Sequence, residues 1–154
     1  MPQVPVPMAV LGQVIGSDGK NYDYASLPGG VTAVAKICYV SGSNGLALAL
    51  ADEGQMDWST AKTTCAAKTP TVPGCTWKLA DQDEWIAMIS ATGGYKAMRD
   101  VFSGVGGTNM QAGQYWSSTG NSNTAYACSF ETGNWSDPYS DSSRYVRACL
   151  ELFF

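Results

Sequence analysis

Two near-continuous apolar runs, 33–40 and 45–51, are separated only by Ser41-Gly42-Ser43-Asn44, and they limit most strongly how this chain can fold. A strand with one wet face alternates apolar and polar residues, but AVAKICYV and GLALALA barely alternate. Such runs suit a hairpin inside a sheet that is covered on both faces. Before it, Gly12 to Gly16 reads as a short strand and Ser17-Asp18-Gly19-Lys20 as a turn, since Asp-Gly tolerates positive φ. Asn21 to Tyr24 then leads into a loop at Leu27-Pro28-Gly29-Gly30.

Two helices are predicted next. Asp57 caps the first, whose inner face carries Trp58, Ala61 and Cys65 at helical spacing. After a Pro-containing loop and a short extended run at Trp77-Lys78-Leu79, Asp81 and Glu84 form a capping box. Trp85, Met88 and Ile89 share the buried stripe of this second helix, which stops near Gly93-Gly94, with a further turn or two of helix within 97–102. The period then changes to two, and 115–117, 125–130 and 145–150 read as strands. Glu131-Thr132-Gly133-Asn134 is the expected turn joining Phe130 to Trp135. Strands, two helices, then strands is an α+β order.

The chain of 154 residues suits one domain. We divide it into a Pro-rich lead-in at 1–11 and a single domain at 12–154. Charged residues make up 14% of the sequence, against ~25% in an average protein, and the formal net charge is −4 with no basic cluster. Nucleic acid is therefore not an expected partner, because phosphate binding needs concentrated Lys and Arg. No apolar run approaches the ~18 residues of a membrane span, and no charged and apolar leader opens the chain. There is no His, so Ser–His and Cys–His catalytic pairs are excluded. None of the five Cys forms a CxxC pair, which leaves no zinc framework. Asp81, Asp83 and Glu84 are accounted for by a helix N-terminus, and the chain does not read as an enzyme.

The last quarter has a different character. Tyr115-Trp116-Ser117-Ser118-Thr119 and Arg144-Tyr145-Val146-Arg147-Ala148-Cys149-Leu150 frame an interior, 120–143, of mostly Asn, Ser, Thr, Tyr, Asp and Gly. That interior holds no Lys, Arg or His, and only Glu131, Asp137 and Asp141 carry charge. Rigid aromatics among small hydrogen-bonding residues is the composition of an antibody-like binding surface. The candidate ligand-binding residues are Asn121, Ser122, Asn123, Thr124, Tyr126, Asn134, Ser136, Tyr139, Ser140, Asp141 and Ser142. Trp116 and Tyr145 read as core, and Arg144 and Arg147 as partners of acidic groups or as stems covering the core.

The blocks GLALALADEG, MDWSTAKTTC, TWKLADQDEW, YWSST and RYVRACLEL together resemble a bacterial and phage family with the C-type-lectin-like fold. The chain looks most like the variable proteins of diversity-generating retroelements and the related repeat-like surface domains of gut Bacteroidales, and the resemblance extends more remotely to the formylglycine-generating enzymes. It runs from about Gly12 to Leu150. The resemblance implies two helices packed on a small mixed or antiparallel sheet with long loops. It also implies a variable ligand-binding region at about 115–149 and display on a bacterial cell surface or phage particle. In that family a reverse transcriptase misreads template adenines. Changes at the adenines of the codon AAC reach Asn, Ser, Thr, Tyr, Asp, Gly, Ala, Cys and Pro, which nearly spells 120–129 and 136–143. Trp135 and Glu131 cannot arise from that codon and would be scaffold positions, while Cys128 would be a product of diversification.

The resemblance also brings Cys65 and Cys149 close together, as the helix and last-strand cysteines of such lectins are. Asn134-Trp135-Ser136-Asp137 is similar to the Trp-Asn-Asp motif of sugar-binding lectins. The segment offers only three carboxylates and no Glu-Pro-Asn, short of the oxygen set that calcium needs, so neither metal nor cofactor is expected. The formylglycine-generating relatives rely on an active-site cysteine pair that this chain lacks. The expected partner is a macromolecular ligand, protein or glycan, without membrane insertion. The alternative is a structural surface or pilus-like module with no diversified ligand site.

Overall fold

The computed structural model describes residues 10–154, so the Pro-rich run 1–7 and most of the 1–11 lead-in lie outside the described residues. The chain forms β1 (Val14–Gly16), β2 (Asn21–Tyr22), β3 (Ala33–Ser41), β4 (Asn44–Ala49) and β5 (Gly54–Met56). There follow α1 (Trp58–Ala66), β6 (Thr76–Lys78), α2 (Gln82–Ala91) and α3 (Tyr95–Arg99). The last part holds β7 (Gln114–Gly120), β8 (Ala125–Ser129), β9 (Trp135–Ser136), β10 (Arg144–Val146) and β11 (Cys149–Phe153). Single 3-10 turns lie at Tyr24–Ser26 and Ser103–Val105. The strands make a six-stranded sheet, ordered β2-β1-β3-β4-β11-β6, and a five-stranded sheet, ordered β5-β10-β7-β8-β9. This is an α+β molecule.

The apolar hairpin is the centre of the first sheet. Gly42 sits at φ 59° in the first position of its two-residue turn, a conformation that favours Gly. Along β4 the side chains alternate between two cores. Ala47 and Ala49 join Trp58, Ala61 and Cys65 of α1, whereas Leu46 and Leu48 join Trp85 and Met88 of α2. Each helix therefore covers one face, which is why the hairpin is apolar on both faces apart from Lys36, whose Nζ donates to Val101 O at 3.2 Å.

Both helices start where their caps predict. Asp57 Oδ1 accepts from Thr60 N at 2.8 Å. Asp81 Oδ1 accepts from Glu84 N at 2.7 Å while Glu84 Oε1 accepts from Asp81 N at 3.0 Å, completing the box. Ile89 is only half-buried, at the margin of its stripe. The further helical turn falls at Tyr95–Arg99, earlier than 97–102, because Gly94 opens it with φ 112° and Asp100 closes it.

The run 145–150 is not one strand, as the alternation suggested, but two. β10 pairs parallel with β7 through Tyr145 and Tyr115, and antiparallel with β5, in the second sheet. β11 pairs with β4 and β6 in the first. The chain changes sheets at Arg147-Ala148. There the wholly buried guanidinium donates to Asp52 Oδ1 at 2.8 Å, Ala49 O at 3.1 Å and Thr108 O at 2.7 Å, and lies 4.3 Å from the Phe102 ring centroid. Tyr115 OH donates to the other Asp52 oxygen at 2.8 Å. These bonds satisfy a buried charge, and Asp52 is the acidic partner expected of Arg147 from the sequence.

Cys65 and Cys149 are not brought together. Cys65 points into the α1 core and Cys149, by strand parity, into the α2 core, where Leu150 turns the other way. All five cysteines are free thiols.

Candidate functional site

The frame around the polar segment is closely packed. Tyr115 and Trp116 are fully buried, and Tyr115 stacks on the half-buried Tyr145 with ring centroids 5.3 Å apart. Trp116 Nε1 donates to Met56 O and Trp58 Nε1 to Ser117 O, each at 2.8 Å, so both indoles are satisfied and tie β7 to the start of α1. Gly120 ends β7 where no side chain fits. A Cβ there would lie 2.5 Å from the Ala125 Cα.

From this frame two polar loops converge. Asn121 N donates to Thr124 O at 2.8 Å, and the Asn121 carboxamide accepts from Asn123 N and Thr124 N. The second loop is laid against the first through a bridge between Thr124 and Tyr139. Ala125 N donates to Pro138 O at 3.2 Å and Ser140 N to Asn123 O at 2.8 Å. Ser140 Oγ donates to Ser122 O at 2.6 Å, and Ser142 N to Tyr139 O at 2.9 Å. Ser122, Asn123, Tyr139, Ser140 and Asp141 line an open cavity of about 620 Å³. Tyr139 is 73% exposed above it and Tyr126, on β8, is 40% exposed.

Two candidates lie elsewhere. Asn134 sits at the other end of the β8–β9 hairpin, beside Ser129, five strand steps from Thr124 and so on the order of 17 Å away. Ser136 lies within β9 with its hydroxyl buried and without a hydrogen-bond partner, turned away from solvent. Strand length separates the first, and strand parity hides the second.

Helix α1 supplies residues that sequence reasoning missed. Asp57, Ser59 and Lys62 form one wall of a cavity of about 520 Å³ whose other wall is Asn121, Ser122, Ser140 and Asp141. The walls are joined by Trp58 N donating to Ser140 O at 3.0 Å. Lys62 Nζ lies 3.5 Å from the Trp58 ring centroid and makes no ion pair with the described residues. Hydrogen bonds from Thr60 hold the Asp57 carboxyl below its ordinary range. No local pattern marks these positions, because the contact joins segments some eighty residues apart.

The site offers hydroxyls, carboxamides, two carboxylates, one ammonium and exposed rings, with no activated nucleophile among them. Among the described residues no group of three or more His, Cys, Asp or Glu is placed to hold a metal ion. No helix among them is long and apolar enough to cross a membrane.

Among solved structures, the chain is similar to the C-type lectin CEL-I from Cucumaria echinata, at 15% identity over 75% of this chain and 94% of that one, with a TM-score of 0.39. It is also similar to an EPNH mutant of CEL-I, at 13% identity over 84% of this chain and 99% of that one, with a TM-score of 0.43. No protein-family model and no curated protein matches the chain. Likenesses at this level say nothing of what this chain binds.

Proposed function

We propose that this protein is a non-covalent recognition domain, a C-type-lectin-like scaffold that displays a diversified face to a macromolecular ligand. The observation that carries the proposal is the convergence of 121–124 with 138–142 into one polar, tyrosine-bearing surface on a buried aromatic frame. Exposed tyrosine gives contact area at low entropic cost, and the surrounding amides and hydroxyls can be satisfied by many partners. Two capped helices against a sheet, followed by strands joined by long polar loops, support the scaffold half of the reading. The composition of 120–143 supports the diversified half.

The test is to sequence the locus across a population of the source organism. Substitutions confined to 120–143, at codons derived from adenine, support a diversified binding face on a bacterial or phage surface. A uniform segment, or changes spread over the whole chain, refutes diversification and favours the structural module.

A further inference from the structure

A second cleft lies on the α2 side of the six-stranded sheet, away from the loops that meet α1. Tyr39, Leu46 and Glu151 are register-matched across β3, β4 and β11, and therefore share one face. One pair further along, Asn44 and Phe153 point the same way. Helix α2 buries Leu46 and the row below it, at Leu48 and Cys149, but leaves Tyr39, Asn44, Glu151 and Phe153 wholly or partly exposed and forms a wall beside them with Asp83, Glu84 and Ala87. The cleft is open and has a volume of about 440 Å³, a size that suits one long side chain with its neighbours.

The chemistry of the cleft is asymmetric. Four carboxylates line it, including Asp81, and among the described residues the one cation ion-paired with them is Lys78. Its Nζ lies 2.6 Å from Glu84 and 3.5 Å from Glu151. Three formal negative charges remain. Asp83 makes no hydrogen bond or ion pair through its side chain among the described residues. The apolar side is aromatic as well as aliphatic, with Tyr39 half-buried and Phe153 61% exposed at the mouth. A ring face beside carboxylates attracts a cation, and a guanidinium answers both, stacking on the ring while its fork meets a carboxylate.

We propose that this cleft docks an arginine side chain carried on an extended segment of a partner protein. Charge complementarity sets the cation, the rings favour guanidinium over ammonium, and the open mouth at Phe153 lets the chain continue beyond the pocket. The site is independent of the loop surface, so either reading can fail without the other.

The test is fluorescence anisotropy with a labelled arginine-containing pentapeptide and its glutamine counterpart. The arginine peptide is expected to bind saturably, and the glutamine peptide at least about tenfold more weakly. The double variant Asp83→Asn with Glu151→Gln should weaken the arginine peptide about tenfold. Phe153→Ala, which touches no ion pair, should weaken it about fivefold. Thermal unfolding like that of the parent shows that each variant is folded. Equal binding of the two peptides, no binding of either, or unchanged affinity in folded variants overturns the proposal. So does concentration-dependent self-association that Phe153→Ala removes, which would make the occupant a second copy of this chain.

Discussion

Arg147 and Asp52 meet across 95 positions of sequence, Nε donating to Oδ1 at 2.8 Å with the guanidinium wholly out of water. The pair stands where the chain leaves one sheet for the other, so it joins the two sheets as well as satisfying a charge. Arg147→Ala is expected to destabilise the fold by about 3–5 kcal/mol, because it strands Asp52 and two carbonyls. Lys cannot reproduce the fork and should restore little. Urea unfolding measures this, and a loss below about 1 kcal/mol would remove the pair from its structural role.

Tyr139 and Trp116 are both large aromatics but lie in opposite environments, one 73% exposed and the other fully buried. Tyr139→Ala should change stability by no more than about 0.5 kcal/mol. Trp116→Ala should cost about 3–5 kcal/mol, since it leaves a cavity and frees Met56 O. If both substitutions prove equally damaging in thermal melts, Tyr139 is part of the fold and not of a recognition face.

Much of this fold was legible locally. The hairpin, both capped helices and the stripe Trp58, Ala61, Cys65 follow from patterns within about ten residues, and the structure places them there. What was hidden depends on long-range geometry. The period-two run at 145–150 gives no sign that Arg147 is a crossing point. The parity that parts Cys149 from Cys65 becomes visible only when α1 and α2 are known to lie on opposite faces. The polar loops stood out by composition, but Lys62 belongs beside them only because Trp58 N reaches Ser140 O.

The cysteines make a separable prediction. Burial pushes Cys38 and Cys65 up to about 12 and Cys128 to about 11, and raises Cys149 well above an ordinary thiol. Cys75 is half-exposed, with its pKa raised by burial alone. Iodoacetamide at neutral pH should therefore label Cys75 alone in the native protein and all five thiols in denaturant. Mass spectrometry that finds Cys65 or Cys149 labelled at a matching rate would contradict the packing.

The same thiols set a pH dependence. Folded thiols keep their protons while unfolded ones ionise near pH ~8.5, so their stabilising contribution is full below that pH. It is lost progressively as pH rises toward the folded values of about 11 to 12. The urea midpoint should fall between about pH 7 and about pH 10, and a midpoint that rises would reverse the sign.

Gly120→Ala tests the hinge between frame and loop. The added Cβ would stand 2.5 Å from the Ala125 Cα and 2.8 Å from Thr124 O, backbone that cannot swing aside. The expected loss is about 1–3 kcal/mol, with faster amide exchange across 121–125. Unchanged exchange there would mean that the loop does not depend on this close approach.

The paired loops are held mainly by main-chain bonds, from Asn121 N, Ala125 N, Ser140 N and the bridge between Thr124 and Tyr139, with side-chain help from Asn121 and Ser140. Peptide groups are common to every residue but proline, so such a lattice does not register which side chain it carries. Ser122, Asn123, Tyr139 and Asp141 can thus be exchanged with little effect on folding, and the shape of the surface is inherited separately from its chemistry.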